Sequence, residues 1–269
     1  MKLRDLASND LERTVWRYMS FTKFVSLLTY QALWFSKLNI LQDQYEGRIP
    51  IQVRERMHEQ NQKWKDNFTD PEHHRQIDEW PTKNEDDGRE LLVVSCWFAD
   101  EDESERMWKE YGTSTDAVAV KSTIGRLAKH VFVPRKVSVS HLGLVKYVEH
   151  DHYEMNSYEA HQAIERAFLK DKAQFCHEHE VRLVTMNVKT TSCASPDGHP
   201  YTPEEVAGAK MNNFENPGLY VGVDLVQLIK GVVVAPGAGP WFTNLVRRLV
   251  EAHGLRAQVS ASMMENALP

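Results

Sequence analysis

The stretch that most restricts the fold is Phe175-Cys-His-Glu-His-Glu-Val-Arg-Leu-Val184. Read as a strand, its side chains alternate faces with period two. One face carries Glu178, Glu180, Arg182 and Val184, the other His179, Val181 and Leu183. Val181 and Leu183 supply a core-facing side. The opposite face aligns two carboxylates with a guanidinium, and like charges side by side cost energy that Arg182 offsets only in part. Such a face suits a solvated edge or the wall of a cleft.

The rest of the chain has to decide between these. It is long enough, at 269 residues, for one large domain or two small ones. A net charge of -6 argues against a general nucleic-acid binder, although a local basic groove remains compatible with it. No apolar run approaches the roughly 18 residues that span a bilayer, and Met1-Lys-Leu-Arg-Asp5 lacks a signal-peptide core. Cys96, Cys176 and Cys193 form neither a disulfide framework nor a metal-type spacing. A cytoplasmic protein is the expectation.

Along the chain, Leu11 to Tyr18 reads as a strand, and Ser20 or Thr22 caps a helix over Phe24 to Leu28. Leu33 to Ser36 is the next strand, followed by an acidic turn, Leu41 to Gly47. Ile51 to Phe68 is a polar helix ended by Asp70-Pro71. Residues 81–90 read as a mobile loop on the run Lys-Asn-Glu-Asp-Asp-Gly. Leu91 to Phe98 is a buried strand. Asp102 and Glu105 stand at capping-box spacing for a helix to Gly112, which places Met107, Trp108 and Tyr111 on one face.

Ala117 to Val120 is a strand, and Ser122-Thr123 caps a helix to His130. Val131 to Val148 offers two or three strands, and Ser157 to Lys170 an amphipathic helix. Residues 190–216, rich in Ser, Pro, Gly and Asn, predict a long loop. Strands follow at Tyr220 to Val223 and Val232 to Ala235, then a helix from Trp241 to His253 that Gly254 stops, and a strand at Gln258 to Ala261. Strands and helices alternate without a regular βαβ rhythm. The fold class is α+β, a single domain over residues 1–269 with a central mixed or antiparallel sheet flanked by helices.

Three strands carry, in order, Arg17, Ser95 and the Glu178/Glu180 pair. Cleaving the nicotinamide–ribose bond of NAD needs such groups. The transition state is an oxocarbenium-like sugar, which a carboxylate such as Glu180 stabilises. A cation such as Arg17 or Arg182 clamps phosphates or ribose, and the Ser95 hydroxyl can brace the carboxylate. Glu178 can orient or deprotonate an acceptor. Trp34 or Trp97 can stack on nicotinamide, with Ser36 beside Trp34 and Tyr111 as a hydroxyl donor. Each residue taken singly also has a structural reading: an exposed arginine with an acidic partner, or a buried serine with a satisfied hydroxyl.

Three further groupings are weaker. Asp43 and Glu46 can share a divalent ion or simply form a turn tied to a cation. His150/His152 and His177/His179 would each point to one strand face, but no closed ligand pattern follows, and no metal is assigned. Val232 to Trp241 leads a strand through Pro236-Gly-Ala-Gly-Pro240 into a helix, as anion sites do, although a tight turn explains the same residues.

The pieces Trp16-Arg-Tyr18, Leu33-Trp-Phe-Ser36, Asp43-Gln-Tyr-Glu46, Ser95-Cys-Trp-Phe98, Glu103-Ser-x-x-Met-Trp-x-x-Tyr111 and Lys172-x-x-Phe-x-x-Glu-x-Glu-x-Arg182 resemble the motif string of a bacterial family, domain of unknown function 2971. The chain departs from that string at Gln44 and Phe175. A second resemblance is to ADP-ribosyltransferases of the Arg–Ser–Glu class, through Trp16-Arg17, Ser95 and Glu178-x-Glu180. Where that class has Ser-Thr-Ser this chain has Ser-Cys-Trp.

The second resemblance implies an NAD-handling mono-ADP-ribosyltransferase-like transferase or an NAD glycohydrolase, with NAD as substrate, Glu180 catalytic, Glu178 on the acceptor side and Arg17 the NAD clamp. The first suggests a role in bacterial conflict or antiviral defence. The acceptor stays open among protein, nucleic acid and small molecule. The alternatives are a metal-dependent nuclease or phosphoesterase using Asp43, Glu46, Glu178 and Glu180, and a non-enzymatic nucleotide-binding sensor.

Overall fold

Runs of β-branched and aromatic residues form the strands of this protein, and short Ser, Thr, Asp and Asn caps start most of its helices. The computed structural model describes residues 1–112, 114–131, 140–187 and 217–264. The strands are β1 (Lys2–Arg4), β2 (Thr14–Ser20), β3 (Ala32–Lys37), β4 (Leu92–Ala99), β5 (Ala117–Thr123), β6 (His141–Leu144), β7 (Lys146–Val148), β8 (Leu169–Asp171), β9 (Glu180–Met186), β10 (Gly218–Gly222), β11 (Gly231–Val234) and β12 (Gln258–Ala261). The helices are α1 (Phe21–Tyr30), α2 (Ile51–Lys65), α3 (Pro71–Leu91), α4 (Glu105–Tyr111), α5 (Ile124–His130), α6 (Ser157–His161), α7 (Ala163–Arg166), α8 (Lys172–Phe175), α9 (Leu225–Leu228) and α10 (Pro240–Ala252).

The main sheet runs β1-β6-β9-β4-β2-β5-β11-β12, with β3 branching from β4 and β10 pairing with β3. It is mixed: β1/β6 and β11/β12 are parallel and the other pairs antiparallel. Helices cover both faces. On one, α1, α5, α9 and α10 bury Phe24, Leu28, Ile124, Leu228, Phe242 and Val246 against strand residues such as Val93, Val120, Val181 and Val232. On the other, Met107 and Trp108 of α4 pack on Trp16, Tyr18 and Phe98. This is the α+β sheet with flanking helices that the sequence implies. None of the described helices is long and apolar enough to cross a membrane.

The sheet forks at β4. One edge of β4 pairs with β9 from Leu92 to Phe98. The other edge is shared: Phe98 and Ala99 pair with Trp16 and Val15 of β2, whereas Val93 and Val94 pair with Lys37 and Ser36 of β3. Between these two short ladders the β4 edge at Ser95 to Trp97 has no strand partner among the described residues, so β2 and β3 diverge there.

Several local expectations change. Residues 81–90 are not a loop: they continue α3, with Pro81, Glu85 and Gly88 buried. Asp70 caps α3, its side chain accepting from Glu72 N at 2.9 Å, so Asp70-Pro71 starts a helix as well as ending one. Glu85 is fully buried, where it accepts from Ile49 N at 2.5 Å and pairs with Arg54. Tertiary contacts thus hold a polar, glycine-containing segment helical against its loop-like composition.

The 175–184 stretch is not one strand. Asp171 caps α8, Cys176–Glu178 is a 3-10 turn, and His179 takes a left-handed φ of 38° before β9 begins at Glu180. Glu178 and Glu180 therefore do not share a strand face. The 157–170 helix breaks at Gln162 into α6 and α7 and then becomes β8, because the buried Arg166 side chain donates to Gly47 O at 2.8 Å and also to Ala160 O. Leu11 and Glu12 lie in a 3-10 turn before β2, and Ser104 rather than Asp102 caps α4. The expected loop at 190–216 lies outside the described residues.

Candidate functional site

A cleft of about 560 Å³ opens at the fork, within the size range of small-molecule sites. Arg17, Trp34, Ser36, Trp97, Tyr111, Glu178 and Glu180 all line it. Register puts Arg17 and Ser95 on the sheet face opposite Glu180 and Arg182: Trp16 opposes Phe98, Phe98 opposes Glu180, and Ser95 opposes Leu183. The cleft reaches both sets because the sheet is open where β2 and β3 separate.

Arg17 crosses the fork. Its Nη1 donates to Ser95 Oγ at 2.6 Å and its Nη2 to the Trp34 carbonyl at 2.8 Å. Ser95 Oγ also accepts from Trp97 Nε1 at 3.2 Å, and the guanidinium lies 5.7 Å from the Trp97 ring centroid. Ser95 is buried, so its hydroxyl braces the guanidinium and not a carboxylate. Arg17 has no ion pair among the described residues. Burial pushes its pKa down to about 10, which still leaves it charged at neutral pH. Neutral acceptors hold the cation in place, and its charge remains for a ligand.

The acidic side is a buried chain of ion pairs. Glu180 receives Arg182 Nε at 2.6 Å on Oε1, and Arg182 Nη2 at 2.9 Å and Lys170 Nζ at 3.2 Å on Oε2. Burial raises the pKa of a carboxyl, but Arg182 and Lys170 overcome it here and bring Glu180 down to about 2. It is a fixed negative charge and not a proton acceptor. Its backbone N–H donates to Tyr147 Oη at 2.7 Å.

Glu178 accepts from Lys170 and from the Tyr111 hydroxyl. Burial and Glu178 together raise the Tyr111 pKa, so Tyr111 acts as a donor. Burial would lower Lys170, but Glu180 and Glu178 hold it well above its ordinary value. Arg182, fully buried, lies behind the wall and pairs with both Glu180 and Glu46.

Among the aromatics that line the cleft, Trp34, Phe175 and Tyr220 are half-buried. Trp34 Nε1 donates to Ser36 Oγ at 3.1 Å, and the Trp34 ring meets Tyr220 edge-on at 4.9 Å. Trp97 is almost wholly buried beneath Arg17.

Comparison with family models, with curated proteins and with solved structures finds no match to this chain. The site must be read from its own chemistry.

The carboxylates of the metal-dependent alternative are already engaged. Asp43 accepts from Tyr45 N at 2.8 Å and Asp171 N at 2.9 Å, and Glu46 and Glu180 share Arg182. Among the described residues one group has metal-ligand spacing, Glu110, His177 and Glu178, but Lys170 already places a cation on Glu178. The histidine pairs do not meet: His150 stacks on Tyr45, His152 faces Gln52, His177 Glu110 and His179 Asp100. The Pro236 loop is a tight strand-to-helix turn in which Gly237 has φ 76°.

Sequence reasoning passed over Lys170, which lines the cleft, and Tyr147, whose hydroxyl accepts from Glu180 N. Lys170 sits where an amphipathic helix was expected, and no local signal marks it. A pair of buried carboxylates calls for a buried cation beyond Arg182, and that requirement is the only clue the sequence offers.

Proposed function

We propose that the cleft takes NAD and that the protein is an ADP-ribosyltransferase-like or NAD-hydrolysing enzyme. One observation carries this reading: Arg17, a guanidinium without a carboxylate partner among the described residues, lines the same cleft as Glu178 and Glu180. A ligand with anionic phosphates and a cationic ring suits those two ends. Arg17 holds the pyrophosphate. Trp34 offers a ring for stacking. Glu180, kept ionised, faces the positive charge that grows on the ribose as the C1′–N bond breaks. The bonding pair leaves with nicotinamide, which departs neutral. The acceptor adds at C1′, and its proton passes to Glu178 or solvent.

A second reading is a nucleotide sensor without turnover. Both Glu180 oxygens are occupied by Arg182 and Lys170, which favours a static wall over a reacting one.

Incubation with NAD separates the two, reading free nicotinamide and labelled acceptor in cell extract for wild type, Glu180→Gln and Arg17→Ala. The enzyme reading expects release by wild type, a fall of at least about 10² in Glu180→Gln, as for loss of an electrostatic transition-state contact, and weaker binding in Arg17→Ala. Binding that survives Glu180→Gln with no release from any form selects the sensor. No binding and no release by wild type removes both.

A further inference from the structure

Glu46 is a fully buried carboxyl that the proposed chemistry does not use, although it lines the cleft. Its turn is pinned by Asp43, whose side chain accepts from Tyr45 N and Asp171 N and whose carbonyl accepts from Glu46 N at 3.1 Å. Glu46 Oε1 accepts from Arg182 Nη1, whereas Oε2 is buried with no partner among the described residues. The same guanidinium donates to both oxygens of Glu180 and, through Nη1, to Ala167 O at 2.6 Å. One cation therefore serves two buried acids.

The charged and titratable groups around Glu46 are few. Arg182 and Glu180 come from β9, Lys170 from β8, and Arg89 from α3, whose Nε is likewise buried with no partner among the described residues. The Cys96 thiol of β4 lies against Glu180 and Arg182, and burial keeps it protonated. If Glu46, Glu178 and Glu180 were all ionised, only two cations, Lys170 and Arg182, would hydrogen-bond to them among the described residues, with Arg89 acting on Glu46 through charge alone. A proton belongs on one of the three, and Glu46 has fewest donors to hold an ionised form.

We propose that Glu46 is a positioning residue that carries the exchangeable proton of this cleft. Protonated, it leaves Arg182 to Glu180; ionised, it competes for Arg182 and adds a negative charge behind the ligand. Burial, opposed by Arg182, raises Glu46 to about 7, whereas Glu180 is held near 2. Two acids on one guanidinium are thus driven apart, the pattern that separates a proton carrier from a fixed charge. The switch acts on the ligand-free protein. Its effect on ligand binding rests on the nucleotide reading above.

The test is a carboxyl and arginine side-chain NMR titration of the free protein from pH 5 to 8.5, for wild type and Glu46→Gln. We expect one carboxyl with a midpoint near 7 in wild type, absent from Glu46→Gln, and Arg182 Nε moving with the same midpoint. The wild-type spectra decide the matter even if the variant does not fold. No carboxyl titrating above pH 6, or an Arg182 signal flat across the range, overturns the proposal. A parallel titration with ADP-ribose should show wild-type Kd rising roughly three- to tenfold from pH 6 to pH 8, the scale of one added charge at moderate distance, and flat behaviour in Glu46→Gln. If ADP-ribose binds but its Kd has the same pH dependence in both proteins, the positioning role fails. If it binds neither at any pH, the nucleotide reading fails, while the free-protein titration still judges the switch.

Discussion

Arg17 and Ser95 meet across the open fork of the sheet, Nη1 donating to Oγ at 2.6 Å, although their strands do not pair at that point. The hydroxyl aims a guanidinium that has no ion pair among the described residues.

That arrangement separates affinity from stability. Arg17→Ala should weaken ADP-ribose binding by about 10–100-fold, the loss of one charge-assisted contact at roughly 1.5–3 kcal/mol. Arg17→Met should bind as poorly yet melt at or above the wild-type temperature, because it removes a desolvated cation that has no ion pair among the described residues. Calorimetric titration and thermal melts check the two halves independently. A large drop in melting temperature for Arg17→Met would show a structural arginine.

Glu46 and Glu180 should give stability opposite slopes in pH. Glu180 has its folded pKa depressed to about 2. Its contribution is complete above the unfolded value near 4.5 and is lost as pH falls toward 2. Glu46 is raised to about 7, so its protonated form favours the folded state, and stability is lost as pH rises from about 4.5 to 7. Each effect is on the order of 3 kcal/mol at its limit. Urea unfolding at pH 3, 5 and 8 should show Glu46→Gln losing the alkaline decline and Glu180→Gln losing the acid one.

Gly88 reports on α3. A Cβ there would stand 2.7 Å from the Ala163 Cβ. Gly88→Ala should cost about 1–3 kcal/mol through overpacking, against the gain that alanine gives in an uncrowded helix. An unchanged or raised unfolding midpoint would count against the packing of α3 on α7.

His179 reports on the break before β9. At φ 38°, a β-branched residue is strained, and His179→Val should destabilise by about 1–2 kcal/mol, whereas His179→Gly should stay within about 1 kcal/mol of wild type. Equal effects would mean that the backbone is not left-handed there.

The sequence by itself determined the parts whose information is local. Apolar runs rich in β-branched and aromatic residues set β2, β3, β4 and β11, the Ser20 and Thr123 side chains cap α1 and α5, and Gly254, at φ 69°, ends α10. It also named Arg17, Trp34, Tyr111, Glu178 and Glu180, because charged and aromatic residues inside otherwise apolar strands and helix faces stand out. Only the tertiary structure decided the rest. Whether 81–90 is helix depends on Glu85 finding Ile49 N and Arg54, and whether 175–179 is strand depends on Asp171 capping a turn beside the cleft. The fork, the bracing of Arg17 by Ser95, and the placing of Lys170 between two acids all join residues about ten to eighty positions apart. Periodicity records which face a residue takes on its own element; which other element's charge it meets there is settled by packing.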